Sequence, residues 1–163
     1  MSTRIGQGFD AHAFSEDPDR PLVLGGVHVE AARGLAGHSD ADVVAHALAD
    51  ALLGAAGLGD LGQHFPDTDP TWSGADSIGL LVEVVGRVAA AGFRPLNADC
   101  TVVAEAPRLS RHLAGMAQRL SEALGAPVSV KATSTDGLGA IGRAEGIAAL
   151  AVVLVSSTSD DRR

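Results

Sequence analysis

The longest apolar run of the chain, IAALAVVLV at residues 147–155, most limits what the protein can fold into. The run is too short to cross a bilayer as a helix, which needs about 20 apolar residues. A short apolar run that follows a glycine and is rich in valine predicts a long buried strand instead. We therefore expect a sheet built around this strand, and no membrane partner.

Strand-like and helix-like segments alternate along the rest of the chain. Strands are predicted at residues 4–14, 21–29, 96–105 and 128–134. Helices are predicted after residue 40 and at residues 76–91 and 107–124. Ser39 or Asp40 is expected to cap the first helix, and Gly54 is expected to end it. Since such alternation is typical of βαβ units, we expect one α/β domain over residues 1–157 and a disordered polar tail at 158–163.

The composition narrows the possible functions. The formal net charge is -8, and aromatic residues make up only 3% of the chain. Without a basic patch or aromatic stacking platforms, nucleic-acid binding is not expected. The single cysteine, Cys100, lies in an apolar stretch and is expected in the core rather than as a nucleophile. The first residues lack the apolar segment of a signal peptide, so the expected location is the cytoplasm.

Asp10 and His12 are the first candidate site residues. On a strand they would present an oxygen and a nitrogen on one face, which suits a metal half-site, a catalytic dyad or a structural hydrogen bond. His46, on the first helix, could complete a zinc site with three protein ligands. Alternatively, His46 is simply paired with Asp42 or Asp50, which lie four residues away on either side. In a metal site, either aspartate could instead orient the histidine.

The segment GHSD at residues 37–40 is a candidate phosphate-binding loop. It opens the first helix, so free backbone N–H groups and the side chains of His38 and Ser39 could face an anion. The alternative is an ordinary helix cap with His38 exposed, and from sequence alone this alternative is favoured.

A second phosphate candidate is KATSTDGLG at residues 131–139. Three consecutive hydroxyl residues and backbone N–H groups could bind phosphate, and Asp136 could hold a hard cation. The alternative is a polar turn. In the long loop at residues 59–75, the aspartates either cap turns or hold substrate hydroxyls, and from sequence alone the turn caps are favoured.

Taken in chain order, these motifs resemble one family. The segments are GFDAHAF, LGGV, GLAGHSDADVVAHALADALLGA, GDLGQHFPDTDP and KATSTDGLGAIGRAEGI, and they cover about residues 4–155. The joint pattern is similar to that of the 2-C-methyl-D-erythritol 2,4-cyclodiphosphate synthases of non-mevalonate isoprenoid biosynthesis. No single segment is specific, but the order of all five is distinctive.

The resemblance implies a fold, a reaction and an assembly. The implied fold is an α/β domain, with α+β character, whose mostly four-stranded mixed sheet carries helices on one face. The implied reaction is an intramolecular phosphoryl transfer that closes a CDP-linked methylerythritol phosphate into a cyclic diphosphate and releases CMP, a phosphorus–oxygen lyase activity. The implied assembly is a homotrimer whose sheets face the threefold axis and whose sites lie between subunits.

The resemblance also implies the residues of the site. Asp10, His12 and His46 would bind one Zn²⁺, and Asp136 would hold a second divalent cation, Mg²⁺ or Mn²⁺. His38 and Ser134 would stabilise the transition state. Besides Asp10, His12 and His38, the residues expected to contact the substrate are Ser39, Asp60, Leu61, Gly62, Phe65, Pro66, Asp67, Thr68, Asp69, Ala104, Glu105, Ala106, Pro107, Arg108, Leu109, Ser110, Thr133, Ser134, Thr135, Asp136 and Arg143.

The chain departs from the usual family pattern at a few positions. Ser134 stands where threonine is commoner and keeps the hydroxyl, while Asp136 is one methylene shorter than the usual glutamate. Arg108 keeps the charge of a frequent lysine. Ala140 stands where some members carry phenylalanine near the trimer axis, although Arg143 is retained. The alternative functions are another zinc-dependent phosphodiesterase or phosphatase, and a non-catalytic trimeric binding protein.

Overall fold

The computed structural model describes residues 1–158; residues 159–163, which hold most of the expected disordered tail, lie outside this range. The strands are β1 (Thr3–Ala13), β2 (Leu22–Leu24), β3 (Val27–Val29), β4 (Phe93–Val103), β5 (Val128–Thr133) and β6 (Gly146–Ser157). The helices are α1 (Val43–Ala56), α2 (Leu61–His64), α3 (Ser77–Ala90), α4 (Leu113–Leu124) and α5 (Gly139–Gly142), with a 3₁₀ turn at Pro70–Trp72. None of the described helices is both long and apolar enough to span a membrane.

The main sheet has four strands in the order β1-β6-β4-β5. Strand β6, which contains the long apolar run, pairs antiparallel with β1 on one side and with β4 on the other. Strand β5 lies parallel to β4 at the far edge, so the sheet is mixed. The expected four-stranded mixed sheet is confirmed, and most residues of its long strand β6 are buried, with Val152 as the exposed exception. Strands β2 and β3 form a separate two-stranded ribbon.

Helices cover one face of the sheet, and α1 lies directly against β1. This close approach requires glycine on the strand: a Cβ atom on Gly6 would lie 1.9 Å from the Ala51 carbonyl oxygen. A Cβ atom on Gly8 would lie equally close, 1.9 Å, to the Ala47 carbonyl oxygen. Glycines on β1 and alanines on α1 thus bring the helix backbone onto the strand that carries two candidate ligands.

The other face of the sheet is left uncovered by the described elements. Side chains alternate along β1, and those pointing away from the helices include Ile5, which is 71% exposed, and Phe9, which is 61% exposed. On the neighbouring strand β6, Val152 is 41% exposed on the same face. Exposed apolar side chains grouped on one sheet face are typical of a protein–protein contact.

Helix α1 begins and ends later than the sequence predicted. Asp42, rather than Ser39 or Asp40, caps the helix, because its carboxylate accepts hydrogen bonds from the first turn and from the turn between β2 and β3. Burial raises the pKa of this carboxyl group. The helix ends at Ala56 and is capped by Gly57, which has the left-handed conformation with φ 72°, and Gly54 lies inside the helix. A glycine inside a helix costs only about 1 kcal/mol, which burial of the last-turn alanines offsets.

Helix α4 begins at Leu113, six residues after the predicted start at Pro107. The intervening chain ends in a turn in which the His112 N–H donates to the Leu109 carbonyl oxygen. Leu109 is buried, but it lies in this turn and not in α4. Its apolar character therefore fitted the helical repeat without the residue being helical. The long loop predicted before α3 contains the short helix α2 and the 3₁₀ turn.

Candidate active site

Strand β1 and the first turn of α1 bring three predicted ligands together. Asp10 and His12 point to the helix-covered side of β1, and His46 reaches them from α1. The Oδ2 atom of Asp10 lies 2.9 Å from Nδ1 of His46 and 3.1 Å from Nε2 of His12. One ligand atom from each residue lies within 4.8 Å of the other two. We call these three residues the ligand cluster.

The second ring nitrogen of His12 has its own partner. Its Nδ1 donates to the carbonyl oxygen of Ala36 at 2.6 Å, and since a carbonyl only accepts, Nδ1 carries the hydrogen. Burial disfavours the charged form of Asp10, but hydrogen bonds with His12 and His46 outweigh it and hold the pKa of Asp10 well below its usual range. The hydrogen bond to Asp10 in turn raises the pKa of His12 against the opposing effect of burial.

The second ring nitrogen of His46 faces two serines. Its Nε2 lies 2.8 Å from Oγ of Ser77 and 3.2 Å from Oγ of Ser39. The aspartates expected beside this ring are engaged elsewhere: Asp42 caps α1, and Asp50 accepts a hydrogen bond from the first residue of α2. The contact between Ser77 and His46 was not predicted from the sequence, because Ser77 lies 31 residues beyond His46, at the start of another helix.

The donor set of the ligand cluster suits a divalent transition metal. One carboxylate oxygen and two imidazole nitrogens converge, the number of protein ligands that catalytic zinc sites use while keeping a fourth position open. With one ring hydrogen committed to Ala36, the hydrogen bond from His12 to Asp10 needs a second proton on the imidazole, whereas the neutral ring offers Asp10 a lone pair. A cation bound between these two atoms would take the place of that proton. The residues present therefore fit the metal site that the sequence predicted.

A cleft of about 570 Å³ lies beside the ligand cluster. Its lining includes seven of the other predicted substrate residues, namely His38, Ser39, Leu61, Gly62, Phe65, Pro66 and Asp67. Trp72 and Leu80 add apolar walls, and Phe9, whose side chain lies on the uncovered sheet face, borders the cleft from β1; the sequence patterns indicated none of the three. A concave, partly apolar site with a few converging polar groups is the usual form of a small-ligand site.

The loop at residues 65–69 is anchored where it begins. Phe65 is buried, and its ring meets that of Trp72 edge-on with centroids 4.8 Å apart. The guanidinium of Arg87, on α3, lies 4.7 Å from the Phe65 ring centre. The same guanidinium donates at 2.6 Å to Nδ1 of His64, the residue before Phe65. Helix α3 therefore holds the start of the loop over the cleft.

Two of the loop aspartates cap turns, which was one of the two interpretations of the sequence. Asp60 caps α2 by accepting from the Gln63 N–H at 2.9 Å. Asp69 caps the 3₁₀ turn by accepting from the Thr71 N–H at 2.9 Å, and this bond lowers the pKa of Asp69. Asp67, in contrast, lines the cleft.

The predicted diphosphate segment, residues 133–136, lies at the opposite edge of the sheet from the ligand cluster. It begins at the last residue of β5, whereas Asp10 and His12 lie on β1, three strand spacings or roughly 14 Å away. Ser134 and Asp136 are exposed, and Oγ of Ser134 donates to Oδ1 of Asp136 at 3.2 Å. Within one chain, the structure does not bring this segment to the ligand cluster.

The predicted cytidine segment, residues 104–110, lies beside the diphosphate segment. The N–H of Ala104 donates to the carbonyl oxygen of Thr133 at 3.0 Å. Ala106 and Pro107 line a second cavity of about 180 Å³. Arg143 is exposed, forms an ion pair with Glu145 at 3.1 Å and does not line the larger cleft. The predicted site residues are therefore divided between two regions of the chain.

A mixed sheet with helices on one face, and an Asp–His–His cluster in a cleft at its edge, define an α/β protein with a candidate divalent-metal site. The model of the YgbB family matches residues 3–156. The chain belongs to the YgbB family.

Named relatives agree with this assignment. The 2-C-methyl-D-erythritol 2,4-cyclodiphosphate synthase of Symbiobacterium thermophilum is 56% identical over 155 residues, which are 93% of this chain and 98% of that protein. The enzyme of the same name from Salinibacter ruber is 57% identical over 157 residues, covering 94% and 99%. The solved structure of IspF from Plasmodium falciparum in complex with CDP matches with a TM-score of 0.82 and 29% identity, covering 97% and 98%.

These similarities confirm the resemblance drawn from the motifs. With it they confirm the predicted function, cyclodiphosphate synthase in the non-mevalonate isoprenoid pathway, and the predicted enzyme class, a lyase acting on phosphorus–oxygen bonds.

Proposed function

We propose that the protein converts 4-diphosphocytidyl-2-C-methyl-D-erythritol 2-phosphate into 2-C-methyl-D-erythritol 2,4-cyclodiphosphate and CMP. An oxygen of the 2-phosphate attacks the β-phosphorus, the bond from that phosphorus to the bridging oxygen breaks, and CMP leaves with the electron pair. The observation that carries this proposal is the convergence of Asp10, His12 and His46 beside the cleft. We place the reaction in the cytoplasm.

In this proposal, the ligand cluster binds Zn²⁺. Zinc bound there would act as a Lewis acid on a phosphate oxygen. The chain itself is acidic, with a formal net charge of -8, so a phosphorylated substrate needs local positive charge. A second cation, Mg²⁺ or Mn²⁺, is proposed at Asp136, because both ions prefer oxygen ligands.

The residues around the larger cleft take the phosphate and the methylerythritol. Ser39 binds phosphate, and His38 stabilises the transition state from an exposed position at the cleft, where its Nε2 lies 3.2 Å from the Asp69 carbonyl oxygen. Residues 60–62 and 65–69 contact the methylerythritol part. Since little acid–base chemistry is needed, the main task of these groups is positioning.

The second region, which comprises residues 104–110 and 133–136, binds the nucleotide part of the substrate in this proposal. Residues 104–110 bind the cytidine, and residues 133–136 bind the diphosphate, with Ser134 as the second group that stabilises the transition state. Arg143 contributes a further substrate contact. The adjacency of the two segments, through the hydrogen bond from Ala104 to Thr133, supports their acting on neighbouring parts of one nucleotide.

We further propose a homotrimer whose sites lie between subunits. One chain carries the two regions at opposite edges of its sheet, so a ring of subunits can place the β1 edge of one beside the β5 edge of the next. The uncovered sheet face, with Ile5, Phe9 and Val152, supplies an apolar surface for contact around a threefold axis.

Incubation of the purified protein with the CDP-linked substrate, Zn²⁺ and Mg²⁺ tests the proposed reaction. We expect one CMP to be released for each cyclic diphosphate formed. Chromatography and phosphorus NMR monitor the two products. CMP accompanied by a linear phosphate product would instead indicate a phosphodiesterase or phosphatase.

The proposed role of the cluster is tested by His46→Ala. This variant should lose bound zinc and CMP release while its sedimentation remains that of a trimer. His28→Ala is the matched control, because His28 is an exposed histidine on β3, and it should keep both properties. Full CMP release by metal-free His46→Ala protein would overturn the role of the cluster.

A further inference from the structure

We infer that Ser77, held by Asp40, is a positioning residue that fixes which nitrogen of His46 is offered to the metal. The inference rests on the proposed function in one respect, the binding of a divalent cation at the ligand cluster. It concerns Ser77, which the sequence patterns did not connect with the site, and Asp40, which they offered only as a helix cap or as part of the GHSD loop.

Ser77 is enclosed between Asp40 and His46. The residue is 1% exposed, and its Oγ lies 2.8 Å from Nε2 of His46. The same Oγ donates a short hydrogen bond to Oδ1 of Asp40. The other oxygen, Oδ2, accepts from the Ser77 backbone N–H at 3.1 Å. The Asp40 carboxylate therefore accepts hydrogen bonds from both the backbone and the side chain of Ser77.

The direction of the hydrogen bonds follows from the chemistry of the groups. A carboxylate only accepts, so the single hydroxyl hydrogen of Ser77 is committed to Asp40. Ser77 Oγ can then only accept from His46, which places a hydrogen on Nε2 of the imidazole. When the ring is neutral, Nδ1, 2.9 Å from Asp10, is the nitrogen left for a cation.

The arrangement also joins separate parts of the chain. Asp40 precedes α1, whereas Ser77 is the first residue of α3. Together they hold the His46 ring at Nε2, the nitrogen that faces away from Asp10. Ser39 adds a longer contact, 3.2 Å from Nε2. Groups that hold the far nitrogen of a ligating histidine typically change metal affinity by 10- to 100-fold when removed.

The test compares Ser77→Ala with Ser73→Ala, in which an exposed serine of the preceding loop is replaced. Competition with a zinc chelator should give a Kd for Zn²⁺ about 10- to 100-fold weaker in Ser77→Ala and unchanged in Ser73→Ala. Since Ser77 is buried, Asp40→Asn serves as a second variant if Ser77→Ala does not fold, and a weaker Kd is expected there too.

Nitrogen-15 NMR of the histidine rings separates positioning from a general loss of structure. In the zinc-loaded wild type, both His46 Nε2–H and His12 Nδ1–H should be protected from exchange with water. Ser77→Ala should lose protection at His46 alone, because the His12 bond to Ala36 remains. Loss of both signals would show a structural effect and overturn the inference.

Two further outcomes are decisive. A Kd for Zn²⁺ within twofold of the wild type in Ser77→Ala would overturn the inference. If the wild type binds no Zn²⁺, the metal assignment in the proposed function fails. The His46 Nε2–H signal of the metal-free protein then still shows whether Ser77 sets the position of that hydrogen.

Discussion

The two regions that carry the proposed site residues differ in how the chain holds them. In the region of the ligand cluster, each ring has a partner behind it: Ala36 for His12, Ser77 for His46 and Arg87 for Phe65. In the region after β5, Ser134 and Asp136 are exposed and hydrogen-bond to each other. The first region is preorganised by packing within one chain, whereas the second is not.

This difference indicates where the remaining interactions of the second region come from. Exposed hydroxyl and carboxylate groups on a loop are ordered by whatever binds them, and their position at the far sheet edge leaves the ligand cluster of the same chain out of reach. A neighbouring subunit and the substrate are the proposed partners. If this contrast holds, substitutions in the two regions should affect stability and activity differently.

The first prediction is that two inactive variants restore each other when mixed. His46→Ala disables the first region and Ser134→Ala weakens the second, so each protein alone should be inactive or slow. If sites lie between subunits, random mixing of the two kinds of subunit in trimers should leave both His46 and Ser134 intact in about a quarter of the sites. CMP release after unfolding and refolding the two proteins together measures this recovery.

The same mixture has a clear contrary outcome. If both regions served one chain, no site in the mixture would contain His46 and Ser134 together, and activity would stay at the sum of the two separate variants. The control is each variant refolded alone under identical conditions.

The second prediction is that Gly8→Ala destabilises the region of the ligand cluster. The added Cβ would lie 1.9 Å from the Ala47 carbonyl oxygen and would push α1, with His46, away from β1. The free energy of unfolding in urea should fall by about 3 kcal/mol, and zinc binding should weaken. Gly54→Ala is the matched control, since a Cβ atom added at Gly54 in α1 would point into open space, and it should raise stability by up to about 1 kcal/mol.

The third prediction is that Ser134→Ala changes the reaction but not the fold. Because the side chain is exposed, the free energy of unfolding should stay within about 0.5 kcal/mol of the wild type. Loss of one group that stabilises the transition state should lower kcat by about 100-fold with little change in KM. An unchanged kcat in steady-state assays would remove Ser134 from the catalytic residues.

Much of the fold could be predicted from local patterns. The apolar run at 147–155 is a buried strand, and Cys100 lies in the core, where burial raises the pKa of its thiol to about 12. The helix boundaries were less accurate. Asp42 caps α1 because it also meets N–H groups of the turn between β2 and β3, a contact that no local pattern contains.

Periodicity and motif order in the sequence determined which residue types share a face and which family the chain belongs to. Asp10 and His12 lie side by side because strand side chains alternate with a period of two. Only the tertiary structure decided that His46 meets them, that Ser77 and Asp40 stand behind His46, and that residues 133–136 lie at the other sheet edge. Such contacts depend on how whole elements pack to bury their apolar faces, which the spacing of neighbouring residues does not specify.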